Sequence, residues 1–265
     1  MSAPCHGNFG GDDLTAREPL VSVVMPAYNA SCTIASSIRS VQQQSYVNWE
    51  LWVVDDCSTD DTVSIAKGLS EMDDRIKLIS LAKNSGRPAC PRNVAIREAT
   101  GELIAFLDAD DEWLPLKLEK QVSFMTHTNV AFSCAGYDVI SFAGEEIGSF
   151  NPPKVCSYDD LLASNSVGCL TAMYDARILG KQYFPICGHE DYALWLKILR
   201  EGHSVHGLQE PLALYRLTPG SVSSSKFKVL KFFWNIYKNQ EGFSPVLSAL
   251  FCLRYAWNTR GKYNN

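Results

Sequence analysis

Residues 102–113 read ELIAFLDADDEW, in which five apolar residues lead directly into a cluster of aspartates. An uninterrupted apolar run of this kind is typical of a strand buried on both faces of a parallel sheet. Asp108, Asp110 and Asp111 follow where that strand ends. Ligands of open parallel sheets bind outside the carboxyl ends of the strands, so these carboxylates are expected to face a crevice rather than the core.

The segments before this stretch repeat an alternation of strand and helix. Three further apolar, β-branched runs predict strands, at residues 20–28, 49–56 and 75–81. Ile34, Ile38 and Val41 recur at helical spacing between the first two, and Ser58 with Asp61 forms a capping-box pattern that predicts the next helix. Strands that alternate with helices in this way predict an α/β fold whose mostly parallel sheet is covered on both faces.

More polar residues are expected at the same edge of this sheet. Asp55 and Asp56 end the strand at residues 49–56, and the segment 84–93, NSGRPACPRN, predicts a loop before a helix that Gly101 ends. Parallel strands bring their carboxyl ends to one edge, so the two acid clusters are expected to lie close together.

The segments after residue 113 predict five shorter elements: a helix near Pro115, a hairpin around Gly144, a helix at residues 158–165, a strand at 169–175 and a helix at 188–202. His189, Glu190 and Asp191 occupy the first turn of the last helix. Acids in a first turn suit the helix dipole, so capping is one interpretation of this group.

Composition limits the class of protein. The chain has 265 residues, 46% of them hydrophobic, and a formal net charge of -5, which fits one main domain and gives no indication of a nucleic-acid partner. Residues 226–265 are an exception, because they carry seven Lys or Arg and only one Glu. Residues 226–265 are therefore predicted to form a separate basic, helical tail.

Cysteine usage and the amino-terminal residues predict a cytoplasmic protein. Nine cysteines occur without a CxxC pair, which favours reduced thiols over disulfides or a zinc site. Residues 1–19 are polar and Gly-rich and are predicted to be disordered, without an apolar leader. No apolar run reaches the roughly 18 residues of a membrane span.

The clustered aspartates require neutralisation. Carboxylates gathered at a crevice repel one another unless a cation or hydrogen-bond donors compensate them, and hard oxygen ligands suit Mg²⁺ or Mn²⁺. A metal-bridged diphosphate is therefore the predicted ligand. Acids after strands also serve as helix caps and solvated turns, and a single DxD is weak evidence. The coincidence of two acid clusters at one sheet edge favours a site.

Five segments resemble, in order, the motifs of family 2 glycosyltransferases with the GT-A fold: VSVVMPAYNA, WVVDDCSTDDT, KNSG with the later PRN, GELIAFLDADDEWLP and HEDYALWLKIL. The sequence is most similar to bacterial enzymes that build capsule and O-antigen repeat units. The resemblance implies inverting transfer of a hexose from a UDP-sugar to a hydroxyl of a saccharide acceptor, with undecaprenyl diphosphate as the implied carrier of that acceptor.

The resemblance also implies roles for individual residues. Those implied to hold the donor nucleotide are Pro26, Ala27, Tyr28, Asp56, Asn84, Gly86, Arg92 and Asp108. Asp110 is the implied metal ligand, and Asp111, Trp113 and Glu190 are implied to contact the donor sugar or the acceptor. Asp191 is the implied general base that takes the proton of the acceptor hydroxyl. A plain packing role for Tyr28, and a surface ion pair of Arg92 with the DxD acids, are alternatives.

One position departs from the family pattern. Many relatives carry a histidine that helps to bind the metal or the diphosphate where this chain has Thr218. Arg216, Ser221, Ser223 and Lys226 are alternative contacts for the diphosphate. The resemblance extends to residue 225 and divides into a donor half, 20–112, and an acceptor half, 113–225.

The tail at residues 226–265 has two interpretations. Its lysines alternate with aromatic residues in the segment KFKVLKFFWNIYK, a composition suited to a helix on an anionic membrane surface. A peripheral position on the cytoplasmic face of the inner membrane would follow. The alternative is a helix packed on the catalytic domain with its lysines in solvent.

Two other functions share some of these features. A HAD-like phosphotransferase also places a DxD after an apolar strand, although on its first strand and with further motifs that this sequence lacks. A nucleotide-sugar-binding module without catalysis would bind UDP but show no turnover. An acid at the position of Asp191 favours an enzyme.

Overall fold

The computed structural model describes residues 18–217 and 226–258, with side chains in the second range from residue 230 onward. Of the predicted disordered segment, only Glu18 and Pro19 are described. Their carbonyl oxygens accept hydrogen bonds from the Asn48 amide and the Tyr46 hydroxyl. Thr218, Ser221 and Ser223 lie outside the described residues.

The described strands form one mixed sheet. They are β1 (Val21–Ala27), β2 (Trp49–Asp55), β3 (Ile76–Ser80), β4 (Leu103–Phe106), β5 (Glu112–Trp113), β6 (Phe132–Ile140), β7 (Glu146–Phe150), β8 (Val155–Cys156), β9 (Met173–Asp175) and β10 (Val205–Arg216). The strand order is β3-β2-β1-β4-β9-β6-β10-β5, with β7 on β6 and β8 on β10. The first four strands in this order are parallel, and antiparallel β9 joins them to the second half of the chain.

The α-helices of the described residues follow the strands in the expected alternation. They are α1 (Ile34–Gln42), α2 (Thr62–Ser70), α3 (Ala89–Glu98), α4 (Lys117–Thr128), α5 (Tyr158–Ala163), α6 (Ala176–Leu179), α7 (Glu190–Arg200), α8 (Lys226–Asn235) and α9 (Pro245–Asn258). A π-helical turn, Ile236–Gln240, continues α8. The predicted α/β fold with a mostly parallel central sheet is confirmed.

The sheet separates two hydrophobic layers, because successive side chains of a strand point to opposite faces. Val24 and Phe106 belong to the layer that contains Trp195 of α7. Val23 belongs to the other layer, together with Ile38 of α1. Burial on both faces explains why these strands read as unbroken apolar runs in the sequence.

The predicted capping box at Ser58 and Asp61 is wrong. Helix α2 begins at Thr62, and its N-cap Asp61 makes no capping hydrogen bond through its side chain. The Ser58 hydroxyl instead accepts a hydrogen bond from the backbone N–H of Asn29 at 2.9 Å, and the Ser58 N–H donates to Asp55 at 3.0 Å. The first of these bonds ties the loop after β2 to the loop after β1, so the Ser58 hydroxyl makes a tertiary contact in place of the local cap.

The predicted loop at residues 84–93 is too long, because α3 already begins at Ala89. Pro88 and Pro91 fall at the N-cap and in the first turn of this helix, where a missing backbone N–H costs no helical hydrogen bond. Arg92 therefore lies on a helix that packs against the sheet, and its side chain is buried.

Two further elements differ from the prediction. The strand expected at residues 169–175 is a short 3-10 turn, Cys169–Thr171, followed by β9. Strand β10 was not predicted at all. Its exposed and buried residues follow no regular alternation, and its pairing with β6 shifts register twice, so a period-two signal is lost.

The described part of the tail packs on the preceding part of the fold. Phe233, Ile236 and Tyr237 are buried in the same hydrophobic layer as α7, and the Tyr237 hydroxyl lies 3.0 Å from that of Tyr192. The apolar face of α8 is thus used for packing. Among the residues described, no helix combines the length and the apolar character needed to cross a bilayer.

Lys117, the first residue of α4, is fully buried. Its Nζ lies 3.8 Å from the ring centroid of Trp113 and has no hydrogen-bond partner among the described residues. Burial lowers the pKa of Lys117 well below its usual value. Burial therefore favours the neutral amine over the charged ammonium form.

Substitution of Lys117 by Met is expected to stabilise the fold and to change its pH dependence. The unfolded chain binds a proton at Lys117 below about pH 10.4, whereas the folded chain does not until the pH falls to the lowered pKa. Between these two values the unfolding free energy of the wild type should rise by up to about 1.4 kcal/mol per pH unit relative to Lys117→Met. Urea unfolding at pH 7, 8 and 9 measures this difference.

Lys77, an exposed lysine on β3, supplies the matched control. Lys77→Met should leave both the stability and its pH slope close to those of the wild type. Equal pH slopes for the wild type and Lys117→Met would show that Lys117 keeps its proton in the folded state.

Candidate active site

A cavity of about 530 Å³ opens at the carboxyl ends of the parallel strands. Ala27 ends β1, Asp56 directly follows β2, and Asp108 comes two residues after β4. The nine residues predicted for the donor nucleotide and the metal all line this cavity: Pro26, Ala27, Tyr28, Asp56, Asn84, Gly86, Arg92, Asp108 and Asp110. The predicted crevice at the sheet edge is therefore present in the fold.

Asp56 organises one wall of the cavity. Its carboxylate accepts hydrogen bonds from the backbone N–H and the hydroxyl of Ser85, at 2.9 and 2.8 Å. Gly86, the residue after Ser85, has a φ of 71° and donates its N–H to the Asn84 side chain at 2.6 Å. Only Gly adopts this backbone conformation readily, so the Asn84–Gly86 turn requires a glycine at position 86.

Asp55, the neighbour of Asp56, faces away from the cavity. Its carboxylate is buried and accepts a hydrogen bond from the Ser58 N–H. Alternation along β2 sends adjacent side chains in opposite directions. The two aspartates therefore have different surroundings, although they are adjacent in sequence.

Arg92 joins the cavity to α7. Its Nη2 donates to Asp108 Oδ1 at 2.5 Å, and its Nη1 lies 3.7 Å from Glu190 Oε1. Burial alone would lower the pKa of Arg92, but the Asp108 carboxylate and then other acids, Glu190 among them, raise it above its usual value. Of the alternative for Arg92, the ion pair with a DxD acid is present, but the surface position is wrong, because this guanidinium is a buried cation held between two carboxylates.

Phe184 supports the Arg92 guanidinium. The centroid of its ring lies 5.1 Å from the guanidinium carbon. Asn93 holds the backbone of Phe184 with two hydrogen bonds, of 2.7 and 2.9 Å. The sequence contains no local signal for this contact, because Phe184 lies about ninety residues away in the chain.

Glu190 and Asp191 begin α7 in different environments. Glu190 is buried, and burial raises its pKa against the opposing effect of Arg92. Asp191 is partly exposed and does not line the cavity described above. Asp191 is thus the more accessible of the two acids to a polar molecule from solvent.

The turn that precedes α7 is held by the tail. His189 has a left-handed backbone conformation, with a φ of 53°, and its ring contacts Phe232 and Phe233 of α8 at centroid distances of 5.6 and 5.4 Å. A Cβ at Gly188 would overlap the Phe232 ring, so only glycine allows this approach. Helix α8 therefore fixes the position of the first turn that carries Asp191.

Asp111 and Trp113 lie behind the cavity wall. The Asp111 carboxylate is buried and accepts a hydrogen bond from the backbone N–H of Arg216 at 2.9 Å. Trp113 is buried, and its indole N–H donates to the Leu170 carbonyl at 2.7 Å. Neither residue lines the cavity, and their implied contacts with the sugar remain predictions.

The DxD loop concentrates negative charge. Burial raises the pKa of Asp111 well above its usual value, and the adjacent Asp110 and Asp108 add to this effect. No three His, Cys, Asp or Glu side chains of residues 18–217 and 230–258 are grouped to hold a metal on their own. Asp108 and Asp110 both line the cavity, and two carboxylates fit Mg²⁺ or Mn²⁺ when phosphate oxygens and water complete the coordination.

The cavity is also lined by residues that the sequence did not indicate. Phe142 approaches from the hairpin between β6 and β7, and Cys32, Thr33 and Arg87 complete the wall. Phe142 is about thirty residues beyond the DxD loop, and no pattern around it points to a ligand. Only the pairing of β6 within the sheet places its hairpin at the cavity.

The chain is similar to known proteins both in sequence and in fold. The family model described as glycosyl transferase family 2 matches residues 22–163, more than half of the chain. The Bacillus subtilis protein TuaG, whose name assigns it to teichuronic acid biosynthesis, is 41% identical over 247 residues, 92% of this chain and 98% of TuaG. Escherichia coli WfgD, named as a UDP-Glc:alpha-D-GlcNAc-diphosphoundecaprenol beta-1,3-glucosyltransferase, is 43% identical over 218 residues, 82% of this chain and 85% of WfgD.

Solved structures of glycosyltransferases share the fold. S. aureus TarS 1-349 in complex with UDP-GlcNAc matches with a TM-score of 0.69 at 22% identity, over 89% of this chain and 71% of TarS. The mannosyltransferase PcManGT from Pyrobaculum calidifontis, in complex with GDP-Man and Mn²⁺, matches with a TM-score of 0.67 at 18% identity, over 89% of this chain and 70% of PcManGT. The family match and the fold exclude the phosphotransferase alternative. This chain belongs to glycosyl transferase family 2 and is a glycosyltransferase with the GT-A fold.

Proposed function

We propose that this enzyme transfers a hexose from a UDP-sugar to a hydroxyl of a saccharide carried on undecaprenyl diphosphate, in the synthesis of a bacterial surface polysaccharide such as capsule or O-antigen. The observation that carries the proposal is the cavity at the sheet edge, lined by all nine residues expected for donor and metal. The name of WfgD, which is 43% identical, supports both substrate classes.

Donor binding is assigned to the strand ends. Pro26, Ala27 and Tyr28 are proposed to hold the base and ribose, because they follow one another at the end of β1 and line the cavity. Asp56 already accepts two hydrogen bonds from Ser85, and its remaining lone pairs can accept from the base. Asp108 can accept from the ribose while it stays paired with Arg92.

Asp110 is proposed to bind Mn²⁺ or Mg²⁺ together with the diphosphate of the donor. The metal ion supplies Lewis acidity that neutralises the charge developing on the departing UDP. Arg216, named above as an alternative contact for the diphosphate, donates to the Asp110 carbonyl at 3.1 Å and to the Glu112 carboxylate at 2.5 Å. These bonds fix the loop that presents Asp110.

Asp191 is proposed as the general base. Inversion requires a base on the side opposite the leaving group, where it takes the proton of the acceptor hydroxyl as the oxygen attacks the anomeric carbon. Partial exposure lets an acceptor reach Asp191, while Glu190 is buried and lies beside the Arg92 guanidinium. Glu190 is therefore assigned to positioning and sugar contact rather than to proton transfer.

A lipid-linked acceptor requires the enzyme to work at a membrane surface. We place it peripherally on the cytoplasmic face of the inner membrane. This part of the proposal is supported by the basic composition of residues 226–265 and by the undecaprenol substrate in the name of WfgD.

A donor screen tests the proposed function. The protein is incubated with Mn²⁺ and UDP-glucose, UDP-galactose, UDP-N-acetylglucosamine, GDP-mannose or dTDP-glucose, and nucleotide release and thermal shift are measured. UDP-glucose or UDP-galactose is expected to give the largest signals. A response to GDP- or dTDP-sugars alone would refute the donor class.

Replacement of Asp110 by Ala is expected to abolish metal-dependent UDP binding and sugar transfer without loss of the fold. Removal of the Asp110 carboxylate takes away the protein oxygen ligand that is assigned to the ion beside the diphosphate. Calorimetric titration with UDP, with and without Mn²⁺, measures the effect, and Asp74→Ala, at an exposed aspartate outside the cavity, is the control. Full wild-type activity in EDTA would contradict the metal assignment.

A further inference from the structure

Helix α9 has two apolar faces. Its inner face packs on the domain through buried or partly buried residues that include Phe251, Cys252 and Tyr255. Its outer face carries four apolar residues spaced one helical turn apart, with exposed fractions of 57% to 72%: Val246, Leu250, Leu253 and Trp257. A helix that is apolar all round is normally buried all round.

This outer stripe is a continuous feature of the helix. Spacings of four, three and four residues keep the side chains within about 60° of one another around an axis with 3.6 residues per turn. The stripe runs along most of a helix about 20 Å long. It differs from the scattered single apolar residues of an ordinary protein surface.

The exposed charges of the tail indicate what kind of surface the stripe binds. Arg254 lies one turn after Leu250 and is exposed, as are Lys231 and Lys238 on the same tail. The single acid of the tail, Glu241, is bound inward by Arg200 at 3.0 Å and by the Tyr158 hydroxyl at 2.6 Å. The exposed charges of the described tail are therefore cationic.

We propose that the outer face of α9 docks on an anionic lipid bilayer, with Val246, Leu250 and Leu253 among the acyl chains and the cations against the headgroups. An exposed apolar stripe on a tail whose exposed charges are cationic is typical of a helix that lies in the plane of a membrane interface. A second copy of this chain fits less well, because a two-fold interface places each surface patch opposite itself, and the exposed charges of the described tail all have the same sign.

This assignment changes which part of the tail meets the membrane. The sequence pointed to the aromatic residues of α8, but Phe233 and Tyr237 are buried against the domain. Helix α8 also contacts His189, next to the first turn of α7. Helix α8 therefore connects a bilayer bound at α9 to the turn that carries Asp191. Such a connection is useful only if the acceptor is lipid-linked, so this inference rests on the proposed function.

Vesicle sedimentation with the full chain tests the docking face. Wild type is expected to bind vesicles of phosphatidylcholine with 30% phosphatidylglycerol and to lose binding in pure phosphatidylcholine or in 0.5 M NaCl. Leu250→Ser combined with Leu253→Ser should lower the partition coefficient about tenfold or more, since both side chains leave the acyl region. Val47→Ser combined with Met72→Ser is the control, because these residues are as exposed but lie outside the tail.

A second variant keeps the proposal open to refutation if the double serine variant folds poorly. Arg254→Gln should keep the fold and weaken binding at low salt several-fold, with little effect in 0.5 M NaCl. Wild-type partition by both variants would overturn the proposal. Sedimentation velocity that shows a dimer lost in the double variant, with no vesicle binding by the wild type, would assign the stripe to a second copy instead.

The vesicle measurement contains neither donor nor acceptor, so it is independent of the proposed function. If the Leu250→Ser, Leu253→Ser variant loses vesicle binding but still transfers sugar to a soluble acceptor, both proposals are supported. Vesicle binding without a response to any UDP-sugar would refute the proposed function and leave the docking face in place.

Discussion

Replacing Asp191 with Asn is expected to lower kcat by roughly 10² to 10⁴ while UDP-sugar binding is retained. Asn keeps the size and most of the hydrogen bonding of Asp, but it cannot accept the proton of the acceptor hydroxyl. The partly exposed position of Asp191 at the start of α7 leaves it open to an acceptor. Turnover at saturating donor and acceptor, together with donor affinity from calorimetry, measures the two quantities separately.

The alternative role for Asp191 is helix capping, and it predicts a different result. Asn and Asp satisfy a helix amino terminus about equally well, so a capping residue would lose at most about 1 kcal/mol of stability and keep its rate. Asp159→Asn is the matched control, because Asp159 is an exposed acid in the first turn of α5. Wild-type turnover by Asp191→Asn would remove Asp191 from the mechanism and make Glu190 the next candidate.

Replacing Arg92 with Met is expected to lower the unfolding free energy by about 3 kcal/mol or more and to abolish efficient transfer. The substitution leaves the carboxylates of Asp108 and Glu190 without their buried counterion, and an uncompensated buried charge is costly. Without Arg92, the pKa of Glu190 should rise further, since Arg92 is what opposes the effect of burial. Urea unfolding and steady-state kinetics measure the two effects.

Arg87→Met is the matched control for Arg92. Arg87 lines the same cavity but is exposed, so its loss should cost little stability. Arg92→Lys should recover part of the stability and less of the activity, because a lysine supplies the charge without a second donor fixed toward Glu190. Stability of Arg92→Met equal to that of the wild type would show that the ion pairs contribute nothing net.

Much of this fold could be predicted because its signals are local. Three of the four parallel strands, β1, β2 and β4, are largely buried, and each appears as an apolar run in the sequence. The fourth, β3, lies at the end of the strand order, and only its first residue is buried. The rule that ligands bind outside the carboxyl ends of parallel strands then places Asp56, Asp108 and Asp110 together, although they are distant in sequence. All three of these aspartates line the same cavity.

The contacts that set the properties of the site were not predictable in the same way. The pairing of Arg92 with Glu190 joins residues almost a hundred positions apart, and it depends on α3 and α7 packing in the same layer. The prediction of a capping box at Ser58 failed for a related reason. The Ser58 hydroxyl accepts a hydrogen bond from the Asn29 N–H, which belongs to the loop after another strand. Local propensity is a weak term when a tertiary contact competes for the same group.

By itself, the sequence determined the α/β class, the sheet edge that carries the site and the aspartates that line the cavity there, because hydrophobic periodicity and strand ends are properties of short segments. The tertiary structure alone decided that Arg92 is a buried cation between Asp108 and Glu190, that Lys117 is in the core, and that the exposed apolar face of the tail belongs to α9. Burial and pairing depend on which distant segments pack together, and that information is absent from any single stretch of the chain.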